Sequence, residues 1–294
     1  MLSASGFSVV AFFGALHALA PLLEDVRHYA GSSGGALAAF VACAGVDPRE
    51  AAGMCAASFE DRADGAHVVG SLRAASVIEA WSACGLAAPT RIERLLRDVL
   101  ERRTGARHAT LREFAQATGR VLAVWTTNLA RGQGEALTLE SHPDLDVVTA
   151  VLASLAIPFV FRPVEIAGEP HVDGAVTEFL PDAAFPDAPP GRVLRVSVPI
   201  SSAAAADAPP PIRDMLGLAT AVVATALRHR ALAAVRGGAP AVLLDVEPAY
   251  PVVGDDKVMR IDIDAAKAWR QFHAAVDQAE AWAEKMESSR EPGA

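Results

Sequence analysis

The chain has 294 residues, of which 52% are hydrophobic, and this composition supports a large buried core and excludes a wholly disordered chain. Its 26 Lys and Arg residues are outnumbered by 35 Asp and Glu residues, which gives a formal net charge of -9. This charge disfavours binding to nucleic acid and electrostatic attachment to an anionic membrane. Any membrane contact should therefore be apolar and transient.

Cysteine and histidine usage bears on metals and on the cellular compartment. The three cysteines, Cys43, Cys55 and Cys84, are odd in number and lack the spacing of metal ligands. The eight histidines do not cluster at ligand spacing either. We therefore expect neither a metal nor another cofactor, and a reducing cytoplasm is the simplest compartment.

Residues 9–20, VVAFFGALHALA, resemble the apolar region of a secretory signal. However, the first basic residue is Arg27, so a positive n-region is missing, and Pro21 follows the supposed cleavage point. The run is also shorter than the roughly 20 apolar residues that span a bilayer. We predict a buried helix here, with a signal peptide as the lesser alternative.

The N-terminal part alternates between turns, helices and a strand. The turn SASGF at residues 3–7 leads into an apolar helix within residues 9–23. This helix should stop near Pro21. Residues 26–30, VRHYA, are typical of a strand, and a glycine-rich turn then begins a helix over 34–44. Since a residue or two of strand also fits before the first turn, this rhythm predicts a parallel α/β sheet.

The rest of the chain continues to alternate. We predict helices over 48–57, 90–103, 147–155, 212–236 and 262–286, and strands over 121–129, 135–141, 193–200 and 241–248. The last helix carries one apolar stripe that should face the core: Trp269, Phe272, Val276, Ala279, Ala283 and Met286.

The connecting segments bear on the domain organisation. Residues 60–75 form either a flap over a site or, more simply, an ordinary loop, and residues 201–211 are a proline-rich surface loop. The sheet draws on both halves of the sequence. We therefore expect one domain over residues 1–287, followed by a disordered tail at 288–294.

Residues 31–35, GSSGG, fit the G-x-S-x-G pattern of a nucleophile elbow, with Ser33 as the nucleophile. Gly31, Gly34 and Gly35 would permit the sharp turn, and the helix that follows would direct its N-terminal N–H groups at the serine. A plain turn that opens a helix would look the same. An ordinary α/β-hydrolase is disfavoured, because only one strand and one helix fit before Ser33.

A serine nucleophile needs a base. His229 and His273 follow every plausible acid in chain order, but both lie among charged helical residues and are best interpreted as solvated, while His17 fits a core position. Asp173 is followed at once by Gly174 and Ala175. Asp-Gly often forms a hairpin turn, and the alternative is that Asp173 is the general base for Ser33.

These motifs resemble the patatin-like phospholipases, which combine a glycine-rich first turn, an early G-x-S-x-G and a much later Asp-Gly-Gly or Asp-Gly-Ala. Residues 2–19 and 153–176 are also similar to the corresponding family segments, and the resemblance extends to Pro181. It implies a three-layer α/β/α sandwich with a mostly parallel central sheet. It also implies a Ser33–Asp173 dyad that hydrolyses acyl esters of lipids or phospholipids through an acyl-enzyme.

The first turn departs from the family pattern. It reads SASGFSV at residues 3–9, so Gly6 alone remains of the usual glycines and Ser8 replaces a basic residue. The resemblance assigns the oxyanion hole to the backbone amides of Ala4, Ser5 and Gly6, although a positive φ at a non-glycine residue would cost about 1–2 kcal/mol. The chain begins almost inside its first strand, so we expect either a trimmed fold or a native start further upstream.

Three alternatives to a lipid hydrolase stay open. The altered turn is compatible with a patatin-like scaffold that has lost efficient catalysis and binds lipid. The same Ser–Asp dyad would also serve an acyltransferase or thioesterase, in which another acceptor intercepts the acyl-enzyme. A plain α/β domain with two accidental glycine turns explains the order of the motifs poorly. The sequence does not predict an oligomeric state.

Overall fold

The computed structural model describes residues 1–60, 85–87, 90–198, 215–236, 241–247, 251–253, 259–261 and 263–289. Cys84, nearly all of the predicted loop at 60–75, the loop at 201–211 and residues 290–294 of the predicted tail lie outside these ranges.

The helices and strands alternate along the chain, as predicted. The helices are α1 Val9–Ala18, α2 Ala20–Leu23, α3 Gly34–Ala44, α4 Pro48–Glu60, α5 Thr90–Thr104, α6 Leu111–Thr118, α7 Val147–Ser154, α8 Met215–Arg236 and α9 Ala265–Ser288. The strands are β1 His28–Ser32, β2 Gly85–Ala87, β3 Val121–Asn128, β4 Gln133–Leu137, β5 Phe159–Phe161, β6 Val164–Ile166, β7 Glu169–Asp173, β8 Arg195–Ser197, β9 Ala241–Leu243, β10 Pro251–Val253 and β11 Met259–Ile261.

The central sheet is mostly parallel, which confirms the predicted fold class. β9 pairs in parallel with β8, and Leu2 forms parallel bridges to Val196 of β8 and to Gly31 of β1. β1 pairs in parallel with β3, and β3 pairs antiparallel with both β4 and β7. β6 continues the sheet antiparallel to β7. The first residues of the chain thus lie in the middle of the sheet.

Alternate residues of the sheet face two different layers. Leu122 and Val124 of β3 belong to the main apolar core, whereas Ala123 and Trp125 belong to a smaller cluster with residue Ala184. A third cluster joins the first turn to the segment after β7 and to α8; its members are Ala4, Ala175, Phe179, Leu180 and Ala231. Both faces of the central strands are therefore covered, which explains why the first five residues of β3, Val121 to Trp125, are all apolar.

The N-terminal apolar helix is buried, as predicted, and it packs against the last helix. Residues Val9 to Leu16 of α1 are buried, and a Cβ on Gly14 would lie 2.2 Å from the backbone oxygen of Phe272 in α9. Phe272 itself is 1% exposed. Within the described residues, none of the helices combines the length and apolarity needed to cross a membrane.

Some predicted boundaries were wrong. β1 covers residues 28–32 and not 26–30, and Pro21 lies in the first turn of α2 and does not simply end a helix. β4 ends at Leu137 because Thr138 and Ser141 close a turn: the Ser141 Oγ accepts the Thr138 N–H at 3.0 Å.

Candidate active site

Ser33 lies in the sharp turn between β1 and α3. Its backbone has φ 53° and ψ -127°, a conformation that residues other than glycine rarely adopt. A residue in such a conformation lowers the stability of the folded state by on the order of 1–3 kcal/mol, and the conformation persists only where the surrounding structure holds it. Here the Ser33 N–H donates to the Ser154 Oγ at 2.9 Å, which fixes the strained peptide.

The glycines around Ser33 allow backbone segments to touch. A Cβ on Gly31 would lie 2.1 Å from the Gly35 carbonyl oxygen, and one on Gly35 would lie 2.2 Å from the Ser3 carbonyl oxygen. A Cβ on Gly34 would lie 2.3 Å from the Ser5 Oγ. Side chains at these positions would separate β1, α3 and the first turn, so the turn geometry depends on all three glycines.

Ser33 forms a hydrogen bond with Asp173, 140 residues further along the chain. The Ser33 Oγ donates to Asp173 Oδ2 at 2.6 Å, and Asp173 Oδ1 accepts the Ala175 N–H at 2.8 Å. The two side chains belong to residues that are only 3% and 1% exposed. Burial raises the pKa of Asp173 to about 6, although the hydrogen bonds from Ser33 and Ala175 counteract this rise.

The sheet register brings the two residues together. Ser32 of β1 lies opposite Trp125 of β3, and Asp173 of β7 lies opposite the next residue, Thr126. Residue 174 must be a glycine, because a Cβ added there would lie 2.2 Å from the Trp125 carbonyl oxygen. β4 occupies the other edge of β3, so β1 and β7 follow one another along the same edge, and this places Ser33 next to Asp173.

Ser154 is a part of the site that residue types alone did not reveal. Its Oγ accepts the Ser33 N–H and donates to the Trp125 carbonyl oxygen at 2.6 Å, and it is fully buried. Ser154 lies in the segment at residues 153–176 that is similar to the family, but the sequence assigned it no role. Its position directly at the end of α7 is the signal that could have suggested one.

The two neighbouring serines point to different places. The Ser32 Oγ donates to the Glu178 carbonyl oxygen at 3.0 Å and is fully buried, whereas the Ser33 Oγ faces Asp173. Of these two hydroxyls, it is therefore the Ser33 Oγ that donates to a carboxylate.

The first turn supplies fewer free amides than the sequence predicted. The Ala4 N–H donates to the Phe179 carbonyl oxygen at 2.8 Å, so Ala4 is engaged in backbone pairing. Among the described residues, no backbone carbonyl oxygen accepts a hydrogen bond from the N–H of Ser5 or of Gly6. Gly6 is the residue of this turn that has a positive φ, 56°. The missing glycines therefore add no backbone strain at Ala4 or Ser5.

The histidines are remote from this arrangement. His229 on α8 and His273 on α9 are exposed, as predicted, and His273 stacks on Trp269. The prediction that His17 is a core residue was wrong: it is exposed in the last turn of α1, with one ring contact to Phe272. Within the described part of the chain, no cluster of His, Cys, Asp and Glu has the geometry to hold a metal ion.

A narrow cavity of about 60 Å³ lies beside Ser33. Ser33, Gly34 and Gly6 line it on the side of the two turns. The rest of its wall is mainly apolar and includes Phe7, Leu37, Leu95, Leu155, Ile157 and Phe161. The hydroxyl–carboxylate pair thus adjoins a space suited to hydrocarbon.

The fold and this site define an α/β protein whose strand–helix elbow presents a serine to a buried aspartate. Residues 1–185 match the family model of the patatin-like phospholipases. Because this match covers more than half of the 294 residues, the chain belongs to the patatin-like phospholipase family.

Particular proteins are similar over shorter or more divergent alignments. The chain is 28% identical over 76 residues to the "Probable lipid hydrolase 463L" of Invertebrate iridescent virus 6, and this alignment covers 26% of each protein. VipD from Legionella pneumophila has a similar fold, with a TM-score of 0.52 and 14% identity over 97% of this chain and 66% of VipD. ExoU in its heterodimeric complex with SpcU, from Pseudomonas aeruginosa, aligns with a TM-score of 0.46 and 19% identity over 97% of this chain and 50% of that chain.

Proposed function

We propose that this protein hydrolyses acyl esters of lipids, with Ser33 as the nucleophile and Asp173 as the general base. The observation that carries the proposal is the 2.6 Å hydrogen bond from Ser33 Oγ to Asp173 Oδ2, at a strained elbow beside an apolar cavity. Membership of the patatin-like phospholipase family and the name of the viral relative support the same activity.

In the first half of the reaction, the Ser33 oxygen attacks the ester carbonyl carbon while its proton passes to the Asp173 carboxylate. The carbonyl oxygen becomes an oxyanion. When this tetrahedral intermediate collapses, the carbon–oxygen bond to the alcohol breaks, and the departing alkoxide takes the proton from Asp173. The acyl group stays on Ser33.

In the second half, water attacks the acyl-enzyme and gives a proton to Asp173. Collapse of the second intermediate releases the fatty acid, and the Ser33 oxygen recovers the proton. The net reaction consumes one ester and one water and yields one acid and one alcohol, so the enzyme returns to its starting state.

The surroundings of Asp173 suit this role. With a pKa of about 6, it is a stronger base than an exposed carboxylate and is still ionised at neutral pH. Its second oxygen is held by the Ala175 N–H, so the carboxylate cannot turn away from Ser33 without losing that hydrogen bond. A histidine is not required for proton transfer in this arrangement.

We assign stabilisation of the oxyanion to the first turn, through the N–H groups of Ser5 and Gly6, and to the N-terminus of α3. Gly34 opens α3 directly after the nucleophile and lies against the Ser5 and Gly6 turn. Removal of one oxyanion donor typically costs about 2.7–4 kcal/mol of transition-state stabilisation, so this turn should contribute much of the rate.

The substrate we propose is an acyl lipid whose chain enters the apolar cavity. Phe159 is 40% exposed, and its neighbours Ile157 and Phe161 line that cavity. We propose that the Phe159 side chain makes the transient apolar contact with a lipid surface.

We also retain the expectation of a reducing, cytoplasmic compartment. Cys43 and Cys55 are buried free thiols, and burial raises the pKa of each to about 12. Buried cysteines of this kind behave as small apolar side chains.

Hydrolysis of p-nitrophenyl butyrate and release of fatty acid from phosphatidylcholine vesicles test the proposal. Ser33→Ala should lower kcat/KM by at least about 10³-fold, because the nucleophile is lost. Ser32→Ala is the matched control and should keep most of the activity, since the Ser32 hydroxyl donates to the Glu178 carbonyl oxygen and not to Asp173.

Two results would contradict the proposal. Full turnover in folded Ser33→Ala would remove Ser33 from the mechanism. Lipid binding by the folded wild type without turnover of either substrate would instead favour a lipid-binding scaffold.

A further inference from the structure

The first turn contains a buried hydroxyl that lacks a hydrogen-bond partner. Ser5 is 6% exposed, and its Oγ has no partner among the described residues. A buried donor or acceptor that stays unpaired lowers stability, so such groups are rare in native proteins. This hydroxyl therefore needs an explanation.

The hydroxyl lies beside the nucleophile elbow. The Ser5 Oγ is 2.3 Å from the point that a Cβ on Gly34 would occupy, and the Gly6 carbonyl oxygen is 2.9 Å from the same point. Gly34 directly follows Ser33 and, like Ser33 and Gly6, lines the apolar cavity. The unpaired group is thus held where the turn and the elbow meet.

The neighbouring hydroxyls of the same turn are paired. The Ser3 Oγ donates to the Ala4 carbonyl oxygen at 2.8 Å and accepts the Val198 N–H at 3.1 Å. The Ser8 Oγ accepts a hydrogen bond from the Gln271 side chain at 3.2 Å. The turn can therefore satisfy its serine hydroxyls, and Ser5 differs from the other two.

We propose that the Ser5 hydroxyl is a side-chain donor of the oxyanion hole and contacts the substrate carbonyl oxygen. This inference rests on the hydrolase function proposed above. The hydroxyl keeps its proton throughout and donates a hydrogen bond that strengthens as the carbonyl oxygen acquires negative charge. It compensates for the Ala4 N–H, which is already bonded to Phe179.

This role predicts that one substitution lowers activity without lowering stability. Ser5→Ala should lower kcat for p-nitrophenyl butyrate by about 10²-fold with little change in KM, because the donor acts mainly in the transition state. Its urea midpoint should not fall, because a buried group without a partner has been removed. Ser5→Cys, with its weaker S–H donor, should have an intermediate kcat.

Ser3→Ala is the matched control in the same turn. It loses two hydrogen bonds, so its urea midpoint should fall while kcat stays within a few-fold of the wild-type value. The pair of variants separates a catalytic hydroxyl from a structural one, since each should change mainly one of the two measurements.

Three results would overturn the inference. Wild-type kcat in Ser5→Ala, when wild-type turnover depends on Ser33, would exclude Ser5 as a donor and leave the proposed hydrolase intact. A loss of kcat together with a lower urea midpoint in Ser5→Ala would indicate a structural role. Absence of Ser33-dependent turnover in the wild type would overturn both this inference and the proposed function.

Discussion

At the scale of single residues, Asp173 combines features that oppose each other. Its burial disfavours the charged form, yet the proposed mechanism needs that form to accept a proton from Ser33. One backbone N–H and one hydroxyl compensate part of this cost, and the pKa rises to about 6. Activity and stability should therefore respond to pH through the same carboxyl group.

The pH profile of activity is the first prediction at this scale. Because protonated Asp173 cannot act as a base, kcat/KM should fall about tenfold per pH unit below a pKa of about 6 and level off above about pH 7. Initial rates with p-nitrophenyl butyrate between about pH 5 and pH 8 would measure this profile. A profile that is flat, or that has its midpoint near pH 4, would contradict it.

The stability of Asp173→Asn is the second prediction. The folded-state pKa of Asp173 lies above its ordinary value of 3.8, so the folded state holds the proton more tightly than the unfolded chain does. Ionisation of Asp173 therefore lowers the free energy of unfolding. This penalty is absent below about pH 4 and complete above about pH 6. Asn avoids this penalty, so the variant should gain stability over the wild type across that window, by about 3 kcal/mol, while losing turnover.

Urea unfolding of both proteins at several pH values would measure this difference. A stability difference that stays constant from about pH 4 to pH 7 would show that ionisation of Asp173 carries no penalty in the folded state.

At the scale of elements, the site depends on contacts between backbones. β1, α3 and the first turn approach so closely that Gly31, Gly34 and Gly35 leave no room for a methyl group. Ser154 at the end of α7 and Trp125 of β3 then secure the Ser33 peptide through two hydrogen bonds. The position of the nucleophile is therefore set by four elements together with the first turn.

Gly35→Ala tests this packing. Its Cβ would lie 2.2 Å from the Ser3 carbonyl oxygen and 2.4 Å from that of Leu2, both of them backbone atoms. We expect a loss of at least about 2 kcal/mol of stability, and a loss of turnover because α3 and the first turn must separate. The measurements are urea unfolding and ester hydrolysis.

Gly53→Ala in α4 is the matched control. Its Cβ would find its nearest neighbour, Trp269, at 3.9 Å, so the higher helix propensity of Ala should stabilise the protein by about 0.5–1 kcal/mol. Equal effects of the two substitutions would contradict the close approach of backbones at Gly35.

At the scale of the whole molecule, distant parts of the chain share one core. Leu2 lies between β1 and β8 in the sheet, and α1 packs against α9 near the other end of the described chain. The family match ends at residue 185, yet α9 contributes Phe272 to the main core. We therefore retain the prediction that residues 1–287 form a single domain.

Phe272→Ala tests whether this domain unfolds as one unit. Truncation of a fully buried Phe typically costs about 3–5 kcal/mol. A single shifted transition, the same by circular dichroism and by tryptophan fluorescence, is expected, with exposed His273→Ala as the control on the same helix. Separate transitions, with the site intact after α9 unfolds, would contradict a single domain.

Much of this arrangement could be predicted from the sequence. Ser33 and Asp173 stand in recognisable glycine motifs, and the continuous run of strand-forming residues at 121–129 predicted the central strand β3. Hydrogen bonds between distant segments could not be predicted, because they depend on tertiary contacts that have no local signal. The pairing of Ala4 with Phe179, the role of Ser154 and the unpaired hydroxyl of Ser5 all belong to this class.

Covalent labelling tests the central claim, that Asp173 activates Ser33 as a nucleophile, most directly. In a fluorophosphonate reaction, the Ser33 oxygen would attack phosphorus and expel fluoride. Intact-mass and peptide analysis should then find one adduct on Ser33 in the wild type and in Ser32→Ala, no adduct in Ser33→Ala, and much slower labelling in Asp173→Asn. Labelling of another residue, or equally fast labelling of Asp173→Asn, would contradict the account.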